Sequence, residues 1–393
     1  MKEFLSHKYS KDLHKHPYRI CKNCVMDTSD PDIEFDKNGI CSHCHHYKNT
    51  DLNLGNKEQR ETKLRKMIKS IKADGAGLDY DCIMGLSGGV DSSFMAWKAV
   101  KDWGLRPLVV HVDAGWNSEL AVNNIQNIVE ILKLDLYTHV LDWEEIRDLQ
   151  LSFLKSGTTN LDIPQDHAFT ASLYRQAKKF KVRNIISGGN IQTESILPNA
   201  WGHSSRDLRF LKSIHKKFGS VRLKDYPTTS FFESFIYYPY ILGLRVHRPL
   251  DYYDYNKDLA KEVLIEELKW RDYGGKHFES LFTKFFQSHY LVKKFGYDKT
   301  KAHLSSLIVS GSMSRDHAIS LLSEQFQENS NLEEEKIFFS KKIGITVEEL
   351  DEILDQKPVP VSSYKNNINL DRRAISTVRF LRKIIPSSIR VKR

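Results

Sequence analysis

Two stretches of this chain combine residue types and spacings that could do chemistry. The first is Ile83-Met84-Gly85-Leu86-Ser87-Gly88-Gly89-Val90-Asp91-Ser92-Ser93, where an apolar run enters Ser-Gly-Gly-x-Asp-Ser and helix-forming sequence follows. A glycine-rich joint between a strand and a helix can aim backbone N–H groups, and the helix N-terminus, at an anion. Gly85, Gly88 and Gly89 let the backbone approach phosphates closely. Ser87, Ser92 and Ser93 add hydroxyl donors, and Asp91 offers a carboxylate for Mg²⁺. No lysine follows the glycines, so this is not the GxxxxGK[ST] loop used for γ-phosphate transfer. An ordinary strand–turn–helix joint would account for the glycines alone but not for the whole hexapeptide.

The second stretch holds four of the five cysteines. Cys21 and Cys24 form one C-x2-C pair and Cys41 and Cys44 another, with sixteen residues between the pairs. This spacing suits a tetrahedral all-thiolate zinc site, with an iron–sulfur cluster or a redox dithiol as the alternatives. Four protein ligands leave no position for water, so zinc here would be structural. Asp36-Lys37-Asn38-Gly39 reads as the turn between the pairs. His43, His45 and His46 read as solvated. Cys82, inside an apolar run, reads as a buried core residue.

The elements that must position these residues follow from periodicity. Residues 1–50 read as the metal-stapled module and 51–78 as a helical linker. Residues 79–254 alternate short apolar strands (80–86, 108–112, 136–141, 184–187 and 246–249) with helices, including 91–103 and 119–132. Such alternation implies an α/β fold with a parallel, doubly wound sheet covered on both faces. Residues 255–360 read as helices only, at 255–270, 277–294, 299–310, 315–327, 333–343 and 346–355. Residues 361–393 form a basic tail.

The loop resembles the pyrophosphate loop of the PP-loop ATPases, a group that includes GMP, asparagine and NAD synthetases and tRNA-modifying ligases. The resemblance implies an adenine nucleotide α-hydrolase-like fold that cleaves ATP to AMP and pyrophosphate. It also implies an adenosine site beside His111, Val112 and Asp113, and further contacts from Gly188, Gly189 and Asn190. A narrower resemblance covers nearly the whole chain. The cysteine pairs, His111-Val112-Asp113-Ala114-Gly115-Trp116-Asn117, the run Trp270-Arg271-Asp272-Tyr273-Gly274-Gly275-Lys276-His277-Phe278-Glu279-Ser280 with Phe282-Thr283, and the stretch from Lys301 to Leu307 look like the N-acetyl sugar amidotransferases. That family is implied to turn an acetamido group of a nucleotide-activated bacterial sugar into an acetamidino group, for surface polysaccharides or flagellin glycans. By this resemblance Asp91, Lys276 and His277 would be catalytic, and Arg271, Gly274, Gly275 and Lys301 would bind substrate. Glu194 and Asp113 are further, weaker candidates for Mg²⁺.

Such a reaction needs a nitrogen donor. The chain starts Met1-Lys2-Glu3, without the N-terminal cysteine of one glutaminase type, and it has no spare reactive cysteine for the other. The expectation is a separate glutaminase subunit supplying ammonia, with a companion that channels it. The competing expectation is a tRNA-modifying ligase of the thiolation or lysidine type, which the charge first invites.

Lys plus Arg is 59 against 50 acids, for a net +9, in 393 residues that are 40% hydrophobic and 28% charged. The excess is local, because residues 372–393 carry eight Lys/Arg and no acid, leaving 51 against 50 in the first 371. A near-neutral body argues against a nucleic-acid partner. Ile375, Val378, Leu381, Ile384 and Ile385 recur at helical spacing among the tail's basic residues. That pattern suits peripheral contact with an anionic membrane, or a terminal helix packed on the body. The N-terminus lacks the apolar core of a signal peptide and no apolar run is long enough to span a bilayer, so a cytoplasmic protein is expected.

Overall fold

The computed structural model describes residues 17–274, 279–327 and 332–370. At its centre is a five-stranded, all-parallel sheet of β1 (Cys82–Gly85), β2 (Pro107–Asp113), β3 (Asp135–Val140), β4 (Asn184–Ile186) and β5 (Arg245–His247), in the order β3-β2-β1-β4-β5. β1 is central: Ile83 registers with Leu108 on one side and Ile185 on the other. Successive side chains of a strand point to opposite faces. Cys82, Met84, Val109 and Ile186 accordingly join one core, and Ile83, Leu108, Val110 and Ile185 another. Both faces are buried at β1 and β4 and along most of β2, which is why these strands read as apolar runs, whereas the edge strand β3 is largely exposed.

The first core is covered by α2 (Lys57–Asp74), α3 (Val90–Trp97), α4 (Glu119–Leu132) and α9 (Lys257–Leu268), and the second by α6 (Ile163–Lys179) and the π-helical segment Glu233–Ile241. α1 (Ser42–Leu54) carries Cys44, and α7 (Ile191–Glu194) is a single turn after β4. The third core is purely helical. It packs α5 (Trp143–Ser156), α8 (Leu208–Phe218), α10 (Leu281–Phe285), α11 (Leu291–Phe295), α14 (Leu332–Ile343) and α15 (Val347–Asp355) around Trp116, Phe153, Phe210, Phe282 and Phe286. α12 (Lys299–Val309) and α13 (Arg315–Gln327) carry the cysteine module.

The expected doubly wound α/β sheet, N-terminal four-cysteine cluster and helical C-terminal region are all present. Details differ. The helix expected at 91–103 is α-helical only to Trp97 and continues as a π segment, Lys98–Asp102. The helix expected from 277 is described from Leu281 and passes through a π segment at Phe286–Tyr290. α9 packs on α3 and α4, so by packing it belongs with the sheet rather than with the helical block expected to begin at 255. The basic stretch 371–393 lies outside the described residues. No described helix is long and apolar enough to cross a membrane.

Candidate active site

The strand order reverses at β1, with β2 on one side and β4 on the other, and a doubly wound sheet opens a crevice at the carboxyl ends of the strands at such a point. The Ser87–Asp91 loop lies there. Gly88 adopts φ +80°, and a Cβ on it would sit 2.6 Å from the Ala121 carbonyl oxygen, so only glycine fits. The Trp270 indole N–H holds the Gly88 carbonyl at 2.9 Å from the buried side. Ser92 Oγ accepts from the Ser87 N–H at 3.3 Å and donates to the Gly89 carbonyl at 3.1 Å. α3 starts at Gly89 with no side-chain cap, so a bound anion could satisfy N–H groups of its first turn. Tyr273 reaches this helix end, where its hydroxyl meets the Val90 N–H; burial, with the Glu279 charge, pushes its pKa up.

Asp91 is held at a fixed orientation. Its Oδ1 accepts from the Tyr255 hydroxyl at 2.5 Å and from Asn190 Nδ2 at 3.4 Å. Burial and the Asp91 charge push the Tyr255 pKa up, so the phenol stays a donor. Asn190 is fully buried and its Oδ1 caps α7 through the Thr193 N–H at 2.9 Å. The β4 loop meets the phosphate loop closely, since a Cβ on Gly188 would lie 2.7 Å from the Asp91 carbonyl oxygen.

At the end of β2, His111 Nδ1 donates to the Leu86 carbonyl at 2.9 Å, and its Nε2 faces the Asn117 Nδ2 donor at 3.1 Å. Asn117 also donates to Asp113 Oδ1 at 3.0 Å, and Asp113 Oδ1 accepts from the Gly115 N–H at 2.8 Å. An antiparallel bridge pairs Asn117 with Ser280, through Ser118 N–H to Glu279 O and Leu281 N–H to Trp116 O, each at 2.9 Å. The two chain segments singled out by the narrower resemblance are thus laced together over the sheet edge.

These parts surround a cavity of about 910 Å³. Of the residues expected from sequence, Gly85, Ser87, Gly89, Asp91, Ser92, His111, Gly188 and Gly189 line it, as does Glu194. Gly88, Asp113 and Asn190 stand behind the lining as supports, and Ser93 is buried with its hydroxyl unbonded. Arg271 is tied by its backbone to Asn124 on α4, its side chain exposed, and Gly274 is an exposed turn at φ +86°. Neither lines the cavity. Lys301 is not at the cavity either, because its ammonium is buried against Asp27 of the cysteine module, Nζ to Oδ2 2.5 Å. Gly275, Lys276 and His277 lie outside the described residues, although Tyr273 and Glu279 on either side line the cavity. Sequence reasoning missed Tyr255, the role of Trp270 behind the loop, and the wall that α6 contributes through Asp162, Gln165, Asp166 and Phe169. Only the spacing of Asp162 and Asp166, one helical turn apart, could have pointed to that wall.

A second cluster lies away from the cavity. The Sγ atoms of Cys21, Cys24, Cys41 and Cys44 all fall within 4.8 Å of one another, and all four residues are buried. Cys21 Sγ accepts N–H groups from Asn23 and Cys41, each at 3.3 Å, and Asn23 Nδ2 reaches Cys44 Sγ at 3.4 Å. Donors converging on thiolates suit a metal site. Cys82, wholly buried in β1, is raised in pKa by burial, and no cysteine lines the cavity.

The parallel sheet, its switch-point crevice and the Ser-Gly-Gly-Val-Asp-Ser loop form an α/β protein with an anion-binding loop at the carboxyl ends of its strands. Residues 279–379 match the family model described as "LPS biosynthesis protein WbpG-like, C-terminal domain". No curated protein sequence matches the chain. Among solved structures the chain is similar to NMN synthetase from Francisella tularensis, at 14% identity over 76% of this chain and 87% of that one, with a TM-score of 0.31. It is also similar to the U34-tRNA thiolase NcsA from Methanococcus maripaludis, with its [4Fe-4S] cluster, at 14% identity over 80% and 90%, TM-score 0.34. The NH3-dependent NAD synthetase from Campylobacter jejuni is a third, at 15% identity over 40% and 72%, TM-score 0.28.

Proposed function

We propose that this chain is an ATP-dependent amidotransferase that adenylates an acetamido group of a nucleotide-activated sugar and replaces AMP with ammonia. The product carries an acetamidino group and serves lipopolysaccharide or a related surface glycan, in keeping with the description of the family matched at 279–379. The observation that carries the reading is the cavity itself. At about 910 Å³ it lies near the upper end of ligand sites, and it joins the phosphate loop to Thr283, Gln287 and Lys299 of the helical region. That gives ATP and a second, sizeable substrate adjoining walls. A thiolation reading would want a reactive cysteine in this lining, and there is none.

An amide oxygen is a poor leaving group until it carries AMP. The Ser87–Ser92 loop and the first turn of α3 would bind pyrophosphate oxygens through N–H and hydroxyl donors, fixing the α-phosphate for attack by the acetamido oxygen. Asp91 and Glu194 both line the cavity and fit Mg²⁺, which commonly takes one or two carboxylates and completes its shell with phosphate oxygens. When bound, the ion disperses charge on the departing pyrophosphate. Tyr255 and Asn190 would keep Asp91 aimed at it. Lys257, Lys299 and Arg206 supply cationic groups along the walls for the anionic parts of a nucleotide-sugar.

The four-cysteine cluster fits a structural zinc ion. Its neighbouring sulfurs lie 3.6–3.8 Å apart, and a tetrahedron with Zn–S bonds of about 2.3 Å requires roughly 3.8 Å. Ammonia would come from a separate glutaminase subunit with a channelling companion, because this chain brings no cysteine to the cavity.

The test is the purified full chain with ATP, Mg²⁺, ammonium chloride and a panel of UDP-linked diacetamido uronic acids and CMP-linked nonulosonates. AMP, pyrophosphate and a product with O replaced by NH are expected for one of them, with glutamine a poor substitute for ammonium. AMP formation on tRNA and none on any sugar would overturn the assignment, and equal activity with glutamine would remove the glutaminase partner.

A further inference from the structure

The α6 wall carries two carboxylates that no part of the adenylation step uses. Asp162 is the residue before α6, yet its side chain does not cap the helix. It turns instead to the Thr283 hydroxyl at 3.0 Å and Gln165 Nε2 at 2.9 Å. Both donors meet its Oδ1. Asp166 lies one helical turn further along the same face and also lines the cavity. Among the described residues its carboxyl makes no hydrogen bond, so it is open to a ligand. The wall therefore presents a hydrogen-bonded carboxyl group beside one without a hydrogen bond among the described residues, in the same cavity as the phosphate loop.

We propose that Asp166 is the proton acceptor for the nitrogen nucleophile, with Asp162, Gln165 and Thr283 as positioning residues. This rests on the amidotransferase reading above. The nitrogen lone pair forms the new C–N bond at the adenylated carbon. The C–O bond to AMP breaks, its electron pair leaving on the phosphate oxygen, and the proton shed by nitrogen goes to the Asp166 carboxylate. Once Asp166 has released this proton to solvent, the planar amidinium product faces its carboxylate, the partner a forked cation prefers.

The surroundings suit a base that must work near neutrality. Asp166 stays exposed to the open cavity, and the protein packed around it and the Asp162 charge oppose its ionisation, raising its pKa to about 7, while Lys299 pulls the other way. The N–H groups of the first turn of α6 also favour the anion. Among the described residues, the other charged or titratable groups facing this space are Asp91, Glu194, Glu279, Arg206, Lys257, His111, Tyr174 and Tyr273, with Tyr226 buried nearby and sensing the Asp166 charge.

Two measurements on the full chain test the proposal. Difference infrared titration of wild type against Asp166→Asn needs no substrate, and a carboxyl titrating near pH 7 should be missing from the variant. A band for Asp166 near pH 4 overturns the proposal. For turnover, sugar-dependent exchange of pyrophosphate into ATP is compared with amidine formation at a fixed concentration of NH3. Asp166→Asn should keep exchange within about 3-fold. It should lose roughly 100-fold or more in amidine formation, along with the rise of that rate through pH 7, and Asp166→Glu should recover part of both. Equal loss of exchange and amidine formation, or an unchanged pH profile, overturns the proposal and leaves the amidotransferase reading standing. A wild-type chain that forms no amidine overturns the amidotransferase reading, and the infrared titration then still decides whether Asp166 accepts a proton near neutrality.

Discussion

At the scale of single residues, the phosphate loop depends on groups that sit behind it. Gly88 could be singled out from sequence as part of a glycine pair, and its φ of +80° bears that out in backbone terms. The role of Trp270 could not, because 182 residues separate it from the carbonyl it holds. The same applies to Tyr255, whose hydroxyl fixes Asp91 across 164 residues. Local patterns reveal residues whose own backbone makes the site, whereas partners brought in by tertiary packing leave no local mark. Trp270→Phe keeps most of the apolar packing and removes only the indole N–H. A lost hydrogen bond of about 1 kcal/mol corresponds to a factor near five, so ATP should bind roughly 5-fold more weakly by calorimetry. An unchanged Kd would mean that the loop holds its shape without the indole.

At the scale of elements, the strands were legible because a central parallel strand is apolar on both faces, and the C-terminal helices because their apolar residues recur at helical spacing. The π segments Lys98–Asp102 and Phe286–Tyr290 were not, since a widened turn keeps nearly the same apolar spacing as an α-helix. Nor was the end of α15 legible as a binding partner of α11. Lys294 of α11 is buried and donates to the Ile353 and Gln356 carbonyls, both at 2.6 Å, where α15 leaves carbonyls without intrahelical donors. Lys294→Met should cost about 2–3 kcal/mol in denaturant unfolding at pH 7, the range for charged hydrogen bonds lost at a buried site. Burial lowers the Lys294 pKa to about 8, with Asp355 opposing. Between pH 8 and the unfolded value of about 10.4, the unfolded chain binds the proton more strongly than the native one. Wild-type stability therefore gains from this group as pH rises through that window. The deficit of Lys294→Met should widen from pH 8 to pH 10, and a constant deficit would show that the lysine acts through packing alone.

At the scale of the molecule, the cysteine module is anchored far along the chain, on α12 and α13. Val25 N–H reaches Ser305 Oγ at 3.1 Å, and the Arg315 guanidinium holds the Cys24 and Cys21 carbonyls at 3.1 and 3.2 Å. Lys301 closes the contact on Asp27, which also accepts from the Ser29 N–H at 3.0 Å and the Tyr18 hydroxyl at 3.1 Å. Lys301 was expected at the substrate because a basic residue in a conspicuous motif reads as a ligand for anions; the anion it meets belongs to the protein itself. Two residues earlier on the same helix, Lys299 lines the cavity, so α12 links the cysteine module to the site. Removing one partner of a buried ion pair leaves the other charge uncompensated, at a cost of about 3–5 kcal/mol. Lys301→Met should therefore lower the melting temperature and speed the transfer of bound metal to a chromophoric chelator. Adding Asp27→Asn should restore part of both, because a neutral amide still accepts from Ser29 without a stranded charge. If metal release stays at the wild-type rate while the melting temperature falls, the module holds its ion independently of α12, and the link from the cysteines to the cavity wall is broken.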